Sequence, residues 1–158
     1  MPLKIRQSRG RPPCWSTQTL RMRLQVLQAP TPDDVERVMR PLIAWNLTVA
    51  PPEDHRKLVV LASEGDEMVG GAVGHTHWHW LFVSHLWVAD QHRGEGLGSR
   101  LMGAIEAASV ERGARHAHLD TYDFQALPFY ERLGYVQFGV LSDYPPGHSR
   151  HFLQRALL

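Results

Sequence analysis

The alternation of apolar and polar positions divides this chain into segments of two periods. Leu24, Val26 and Leu27 suggest a first strand in a pattern that opens at Met22. Thr31-Pro32-Asp33-Asp34 then carries the chemistry of a helix start: a threonine cap, proline at the first helical position, and acids facing the positive end of the peptide dipoles. Val35, Val38, Met39 and Leu42 follow at helical spacing toward Trp45, and Pro51-Pro52 ends any continuation. Leu58–Ala62 is a short apolar run, Ser63-Glu64-Gly65-Asp66 a turn, and Met68–Trp80 a long strand loosened by Gly70 and Gly71. Leu81–Ala89 is nearly all apolar, which predicts a central strand, although no strong turn residue at 80–82 marks its start.

The second half repeats the alternation of periods. Leu97, Leu101, Ile105 and Ala108 form the apolar stripe of a helix that Gly113 can cap. His116–Tyr122 reads as a strand, and Pro128 suits the first turn of a short helix closed by Gly134. Tyr135–Leu141 and Arg150–Leu157 read as strands joined by the turn Asp143-Tyr144-Pro145-Pro146-Gly147. Strand, helix, then further strands interleaved with two helices predicts a mixed α/β domain built on one sheet.

Charge adds one boundary. Six of the 17 Lys and Arg fall in residues 1–23 with no acid among them, leaving the rest with 11 basic against 16 acidic groups, a net of −5. The arm lacks periodicity and interleaved aromatics, so nucleic acid is not the expected partner; residues 1–21 are expected to be a disordered leader before a domain at 22–158. The single cysteine, Cys14, excludes an internal disulfide and a cysteine-only zinc site, and a reducing, cytoplasmic setting is expected. No apolar run reaches the ~20 residues that span a bilayer, so no membrane partner is expected.

The candidate chemistry lies where the central strand ends. Gly94, Gly96 and Gly98 follow Leu86-Trp87-Val88 and open the next helix. Such glycines let backbone N–H groups approach a ligand at a helix N-terminus, where unpaired donors and the helix dipole favour a pyrophosphate. Arg93, Arg100 and Ser99 can add charge and a hydroxyl. A Walker loop is excluded because Gly98-Ser99-Arg100 lacks its lysine, and the chain is too short for the two halves of a dinucleotide fold. His75, His77 and His79 alternate on one strand face, which can begin a zinc site. A solvated face is the better reading and no metal is expected; Trp78 and Trp80, opposite them, are expected in the core.

Two blocks carry a resemblance. Arg93-Gly94-Glu95-Gly96-Leu97-Gly98 matches the Arg/Gln-x-x-Gly-x-Gly/Ala signature of the GNAT N-acetyltransferases. Ala126 with Phe129-Tyr130-Glu131-Arg132-Leu133-Gly134-Tyr135 is similar to that family's short helix and the glycine–aromatic pair after it. The run from Phe138 to Arg150 is similar to a subgroup of small bacterial acetyltransferases, and the resemblance spans about residues 22–157. It implies the GNAT acyl-CoA fold: a mostly antiparallel sheet, flanked by helices, whose central strands splay apart.

The resemblance also implies a site. Acetyl-CoA would be the co-substrate, its pyrophosphate on the amides of Arg93, Gly94, Gly96, Leu97 and Gly98 with Ser99 beside them. Its pantetheine arm would lie between the strands near Leu86–Val88 and 117–120, with the Val88 N–H on the thioester carbonyl. Tyr130 aligns with the general acid that protonates the departing thiolate. Ser84 and His85 stand where many members place a carboxylate, so Asp120 is the preferred candidate for the base, with helix capping as its alternative role. Trp45 and Asn46, and Tyr144 and His148 in the Pro-Pro-Gly turn, are candidates to contact a small-molecule or peptide primary amine. A homodimer is left open, and the rival reading is an acyl-CoA-binding domain without turnover.

Overall fold

The computed structural model describes residues 23–158, so the expected leader at 1–21 lies outside the described residues. The chain divides into two units, Met1–Trp45 and Asn46–Leu158. In the first, Thr31 and Asp34 cap helix α1 (Pro32–Val49) reciprocally. Thr31 accepts from the Asp34 N–H at 3.3 Å, while Asp34 accepts from the Thr31 N–H at 2.9 Å and from its hydroxyl at 2.7 Å. Arg23–Leu27, expected as a first strand, forms none. A strand needs a neighbour for its backbone groups, and among the described residues of this unit the other element is a helix.

The second unit is a six-stranded sheet in the order β1-β2-β3-β4-β6-β5. Its strands are β1 (Arg56–Glu64), β2 (Glu67–His77), β3 (Trp80–Val88), β4 (His116–Tyr122), β5 (Val136–Ser142) and β6 (Ser149–Ala156). All neighbours are antiparallel except β3 and β4. Helix α2 (Leu97–Glu111) and the short α3 (Leu127–Arg132) share one core with the sheet. Leu101, Met102 and Ile105 meet Leu81, Val83, Ala117, Leu119 and Leu153 there. Burying each such large aliphatic side chain contributes roughly 1.5–3 kcal/mol. Among the described residues no helix is long and apolar enough to cross a membrane.

One polar network is set into this core. The Tyr135 hydroxyl donates to Glu106 Oε1 at 2.8 Å, and Arg155 Nη1 donates to the Leu133 carbonyl at 2.6 Å and lies 3.4 Å from Glu106 Oε2. It ties α2, the end of α3 and β6 together. Burial, then the Glu106 carboxylate, pushes the Tyr135 phenol well above its ordinary range.

Two expectations about β2 and β3 are corrected. The long strand expected over Met68–Trp80 ends at His77, and Trp78 and His79 make a two-residue turn with φ of 44° and 66°. Such hairpins normally use Asn-Gly, so the sequence carries no turn signal. Bonds from elsewhere hold this one: Trp78 Nε1 donates to the Pro51 carbonyl at 3.1 Å, and the His79 carbonyl accepts the Arg115 N–H at 2.7 Å. The turn breaks the alternation, so Trp78 and Trp80 are not core residues. They join His75, His77, Phe82 and His118 around a cavity of about 190 Å³ on the face opposite α2. His79 leaves that set and bonds the Gly113 carbonyl at 2.8 Å.

A β-bulge decides the shape of the sheet. Val73 pairs with His85 and Gly74 with Val83, leaving Ser84 as the extra residue. Ser84 Oγ donates to the Val73 carbonyl at 3.1 Å. A side chain at position 74 would collide with the Phe82 carbonyl, so glycine is required there.

Candidate active site

The pairing of β3 with β4 runs only from Trp80↔His116 to Val83↔Leu119. Beyond it β3 stays paired with β2 as far as Val88, and β4 with β6 as far as Tyr122. Two central strands therefore separate while each keeps its outer neighbour. Separation begins at the Ser84 bulge, whose added twist turns β3 away from β4. Leu86 and Val88 lie on one lip of the opening, Asp120 and Tyr122 on the other. An extended amide-bearing chain fits such an opening, because both lips carry backbone groups that the sheet leaves without a cross-strand partner.

The glycine loop lies beyond the β3 lip. Gly94 and Gly96 take φ of 81° and 82°, the left-handed region, and Gly96 is the N-cap of α2. Among the described residues, no acceptor is provided for the amide N–H groups from Gly94 through Ser99. Added Cβ atoms at Gly94 and Gly96 would meet nothing within 4 Å, so the space over these amides is open. Free donors, the helix dipole and open space together make an anion cradle.

The cradle differs from expectation at both ends. The Arg93 N–H is used by the Asp90 carbonyl at 3.2 Å, and its guanidinium donates to the Val88 carbonyl at 3.1 Å and pairs with Asp90 at 2.9 Å. Arg93 thus braces the loop against β3 instead of supplying its amide. The free donors extend instead to Ser99. Gly98 serves packing, since its missing side chain admits the Phe129 ring of α3, 3.3 Å from where a Cβ would stand. Leu97 and Leu86 pack against the core beside it.

Tyr130 of α3 is buried, with only 8% of its surface exposed. Burial, and then the charge of Asp120, push its phenol up to about 12. The sign keeps the proton on: the group is a donor throughout the neutral range. Asp120 does not cap α3, and neither does Asp123, because the N-cap is Ala126 and no side chain bonds there. Asp120 Oδ2 instead accepts from Arg150 Nε at 2.7 Å. The Arg150 guanidinium lies 5.4–5.6 Å from the ring centres of Tyr122, Tyr144 and Phe152, which confine it against Asp120.

Asp123, one residue past β4, reaches the β5–β6 turn. Its Oδ1 lies 3.0 Å from His148 Nδ1 and its Oδ2 accepts the Ser149 N–H at 3.1 Å. Partial desolvation acts against these bonds but is outweighed, and the carboxyl stands below its usual range. Tyr144 is in the same turn, whose ends are tied by Tyr144 N–H to the His148 carbonyl at 2.9 Å and by Gly147 N–H to Asp143 Oδ1 at 2.7 Å. Trp45 and Asn46 lie in the later part of α1. Among the described residues, no group of three or more His, Cys, Asp or Glu is placed to hold a metal ion.

Residues 21–135 match the family model described as Acetyltransferase (GNAT) family. The chain belongs to the GNAT acetyltransferase family. A blasticidin-S acetyltransferase of Streptomyces morookaense is 45% identical over 68% of this chain and 82% of its own length. The crystal structure of an acetyltransferase from Bacillus cereus superposes with a TM-score of 0.77 at 29% identity, covering 84% of this chain and 97% of that one. An aminoglycoside 6′-N-acetyltransferase crystallised with coenzyme A shares the fold, with a TM-score of 0.58, 20% identity and coverage of 81% and 82%. This GNAT chain is therefore an acetyltransferase, and the rival reading as a binding domain without turnover gives way.

Three features of this GNAT chain are set by tertiary structure and leave little mark in the local sequence. Arg150 reads as an ordinary strand cation, and its role depends on register: Tyr122↔Arg150 and Asp120↔Phe152 place it against Asp120. The bulge at Ser84 leaves no mark beyond a polar residue in an apolar run. The Asp123–His148 bond joins positions 25 residues apart, and the Pro-Pro-Gly turn was its sole hint.

Proposed function

We propose that this acetyltransferase binds acetyl-CoA with the pyrophosphate on the amides from Gly94 to Ser99 and the pantetheine arm between β3 and β4, and acetylates a primary amine by direct attack. The observation that carries the reading is the opening beyond Val83↔Leu119, with free amides beyond one lip and Tyr130 buried near Asp120 on the other. In the reaction the neutral amine nitrogen bonds to the thioester carbonyl carbon and the carbon–sulfur bond breaks. The amine loses one proton, and the departing thiolate takes one from Tyr130, whose raised proton affinity keeps it loaded. Asp120, held by Arg150, faces the positive charge that develops on the attacking nitrogen.

The acceptor follows from the relative that acts on blasticidin S: a small-molecule amine of that kind is the first candidate. The test is a panel of blasticidin S, streptothricin, simple alkylamines and short peptides incubated with acetyl-CoA and scored by release of coenzyme A thiol. Amine-dependent release with an acetylated product is expected. Binding of acetyl-CoA without amine-dependent release from any member, at any pH from 6 to 9, would count against the reading.

A further inference from the structure

We propose that His148, oriented by Asp123, is the base that takes the proton from the attacking amine; this rests on the acetyl-transfer reading above. The geometry begins with the donor assignment. A carboxylate only accepts, so the 3.0 Å contact between Asp123 Oδ1 and His148 Nδ1 requires the proton on Nδ1. In the neutral ring this leaves Nε2 with a free lone pair. The His148 side chain is 47% exposed, so the ring is open to solvent and to a molecule that enters from it.

Asp123 is itself fixed by the Ser149 N–H at 3.1 Å, so the ring is held through a braced partner. Phe124 meets the ring edge-on, 4.9 Å between centres, and stacks on Tyr122 at 5.1 Å. Tyr122 belongs to the β4 lip. The imidazole is thereby anchored, through Phe124 and Tyr122, to the same lip as Asp120.

The neighbouring charges are already engaged. Asp143 accepts from Gly147, and Arg150 is bound by Asp120. Tyr122 and Tyr144 face Arg150. Asp123 is thus the anion in direct contact with the ring, and it stabilises the imidazolium formed when Nε2 gains the amine's proton. His85 is the competing imidazole. Its Nδ1 meets Ser84 Oγ at 2.9 Å, and that hydroxyl donates to the Val73 carbonyl. A neutral hydroxyl stabilises imidazolium far less than a carboxylate, whose charge-assisted bond is roughly twice as strong.

The step balances. The amine proton passes to Nε2 as the nitrogen–carbon bond forms, the electrons of the carbon–sulfur bond leave with sulfur, and Tyr130 protonates the thiolate. His148 then releases its proton to solvent and Tyr130 regains one. Asp123 is a positioning residue, and its loss leaves the base in place but free to rotate.

The experiment compares full-length wild type, His148→Gln, Asp123→Asn and His85→Gln, using the amine of the panel that wild type acetylates fastest. His148→Gln is expected to lower kcat by about 10²–10⁴-fold with acetyl-CoA affinity and melting temperature nearly unchanged, and to abolish the acidic limb of the kcat/KM profile. Asp123→Asn is expected to lose less and to keep a displaced limb. A folded His148→Gln variant that retains wild-type kcat and acidic limb overturns the inference, as does a limb that disappears only in His85→Gln. If His148→Gln fails to fold, Asp123→Asn decides, because a structural latch would change stability without moving the limb. Absence of transfer in wild type would instead overturn the reading on which this one rests, and the two failures are distinct.

Discussion

Gly96 offers the sharpest separation of ligand binding from folding. Its φ of 82° lies where an L side chain is strained, and an added Cβ meets nothing within 4 Å. Gly96→Ala therefore costs strain alone, about 1–2 kcal/mol for a residue forced into the left-handed region. In a domain of this size that lowers Tm by about 3–8 °C. The new methyl group would also stand over the free amides from Gly94 to Ser99 and displace the pyrophosphate proposed to lie there. Losing two such contacts, at roughly 1.5–3 kcal/mol each for bonds to a charged group, weakens binding by at least about 100-fold.

Gly65 supplies the control. It has φ of 57°, nothing within 4 Å, and a place in the β1–β2 turn. Gly65→Ala should lose similar stability with no change in ligand affinity. Calorimetric titration of acetyl-CoA into both variants, beside thermal melts, makes the comparison. Equal acetyl-CoA affinity in the two variants at equal Tm loss would refute the reasoning, because the space over Gly96 would then not be the pyrophosphate site.

Tyr130→Phe should lower kcat by about 10²–10⁴-fold and leave acetyl-CoA affinity intact, read by steady-state kinetics and calorimetry. Because its phenol is pushed up to about 12, any alkaline fall in wild-type rate below pH 10 should persist in that variant. Tyr135→Phe removes the donor to Glu106 in the core network and should lower stability by about 1.5–3 kcal/mol, measured as a shift of the urea midpoint. Burial first, with the charges of neighbouring histidines, holds the His75 ring below its ordinary value, and burial likewise lowers His118. The unfolded chain therefore binds more protons, so stability should be full above about pH 6.5 and decline as pH falls below it. Urea midpoints between pH 8 and 5 should show that slope, and His118→Gln should flatten it.

The fold and the course of the glycine loop were legible because their signals are local. A helix declares itself through Thr31-Pro32-Asp33-Asp34 or through the stripe from Leu97 to Ala108, and the cradle through alternating glycines after an apolar strand; each lies within a few residues. Tertiary structure decided what depends on partners. Leu24–Leu27 has the pattern of a strand yet forms none, because a strand needs a partner for its backbone groups. Trp78 and Trp80 took the face of His75 and His77 because a turn without glycine or asparagine is held by Pro51 and Arg115. The opening between β3 and β4 depends on one residue of register at Ser84. Arg150 on Asp120, and His148 on Asp123, are bonds between residues 30 and 25 positions apart. Periodicity reports which face a residue occupies, but a hydrogen bond needs two groups within about 3 Å, and for groups so distant in sequence only the folded chain sets that distance.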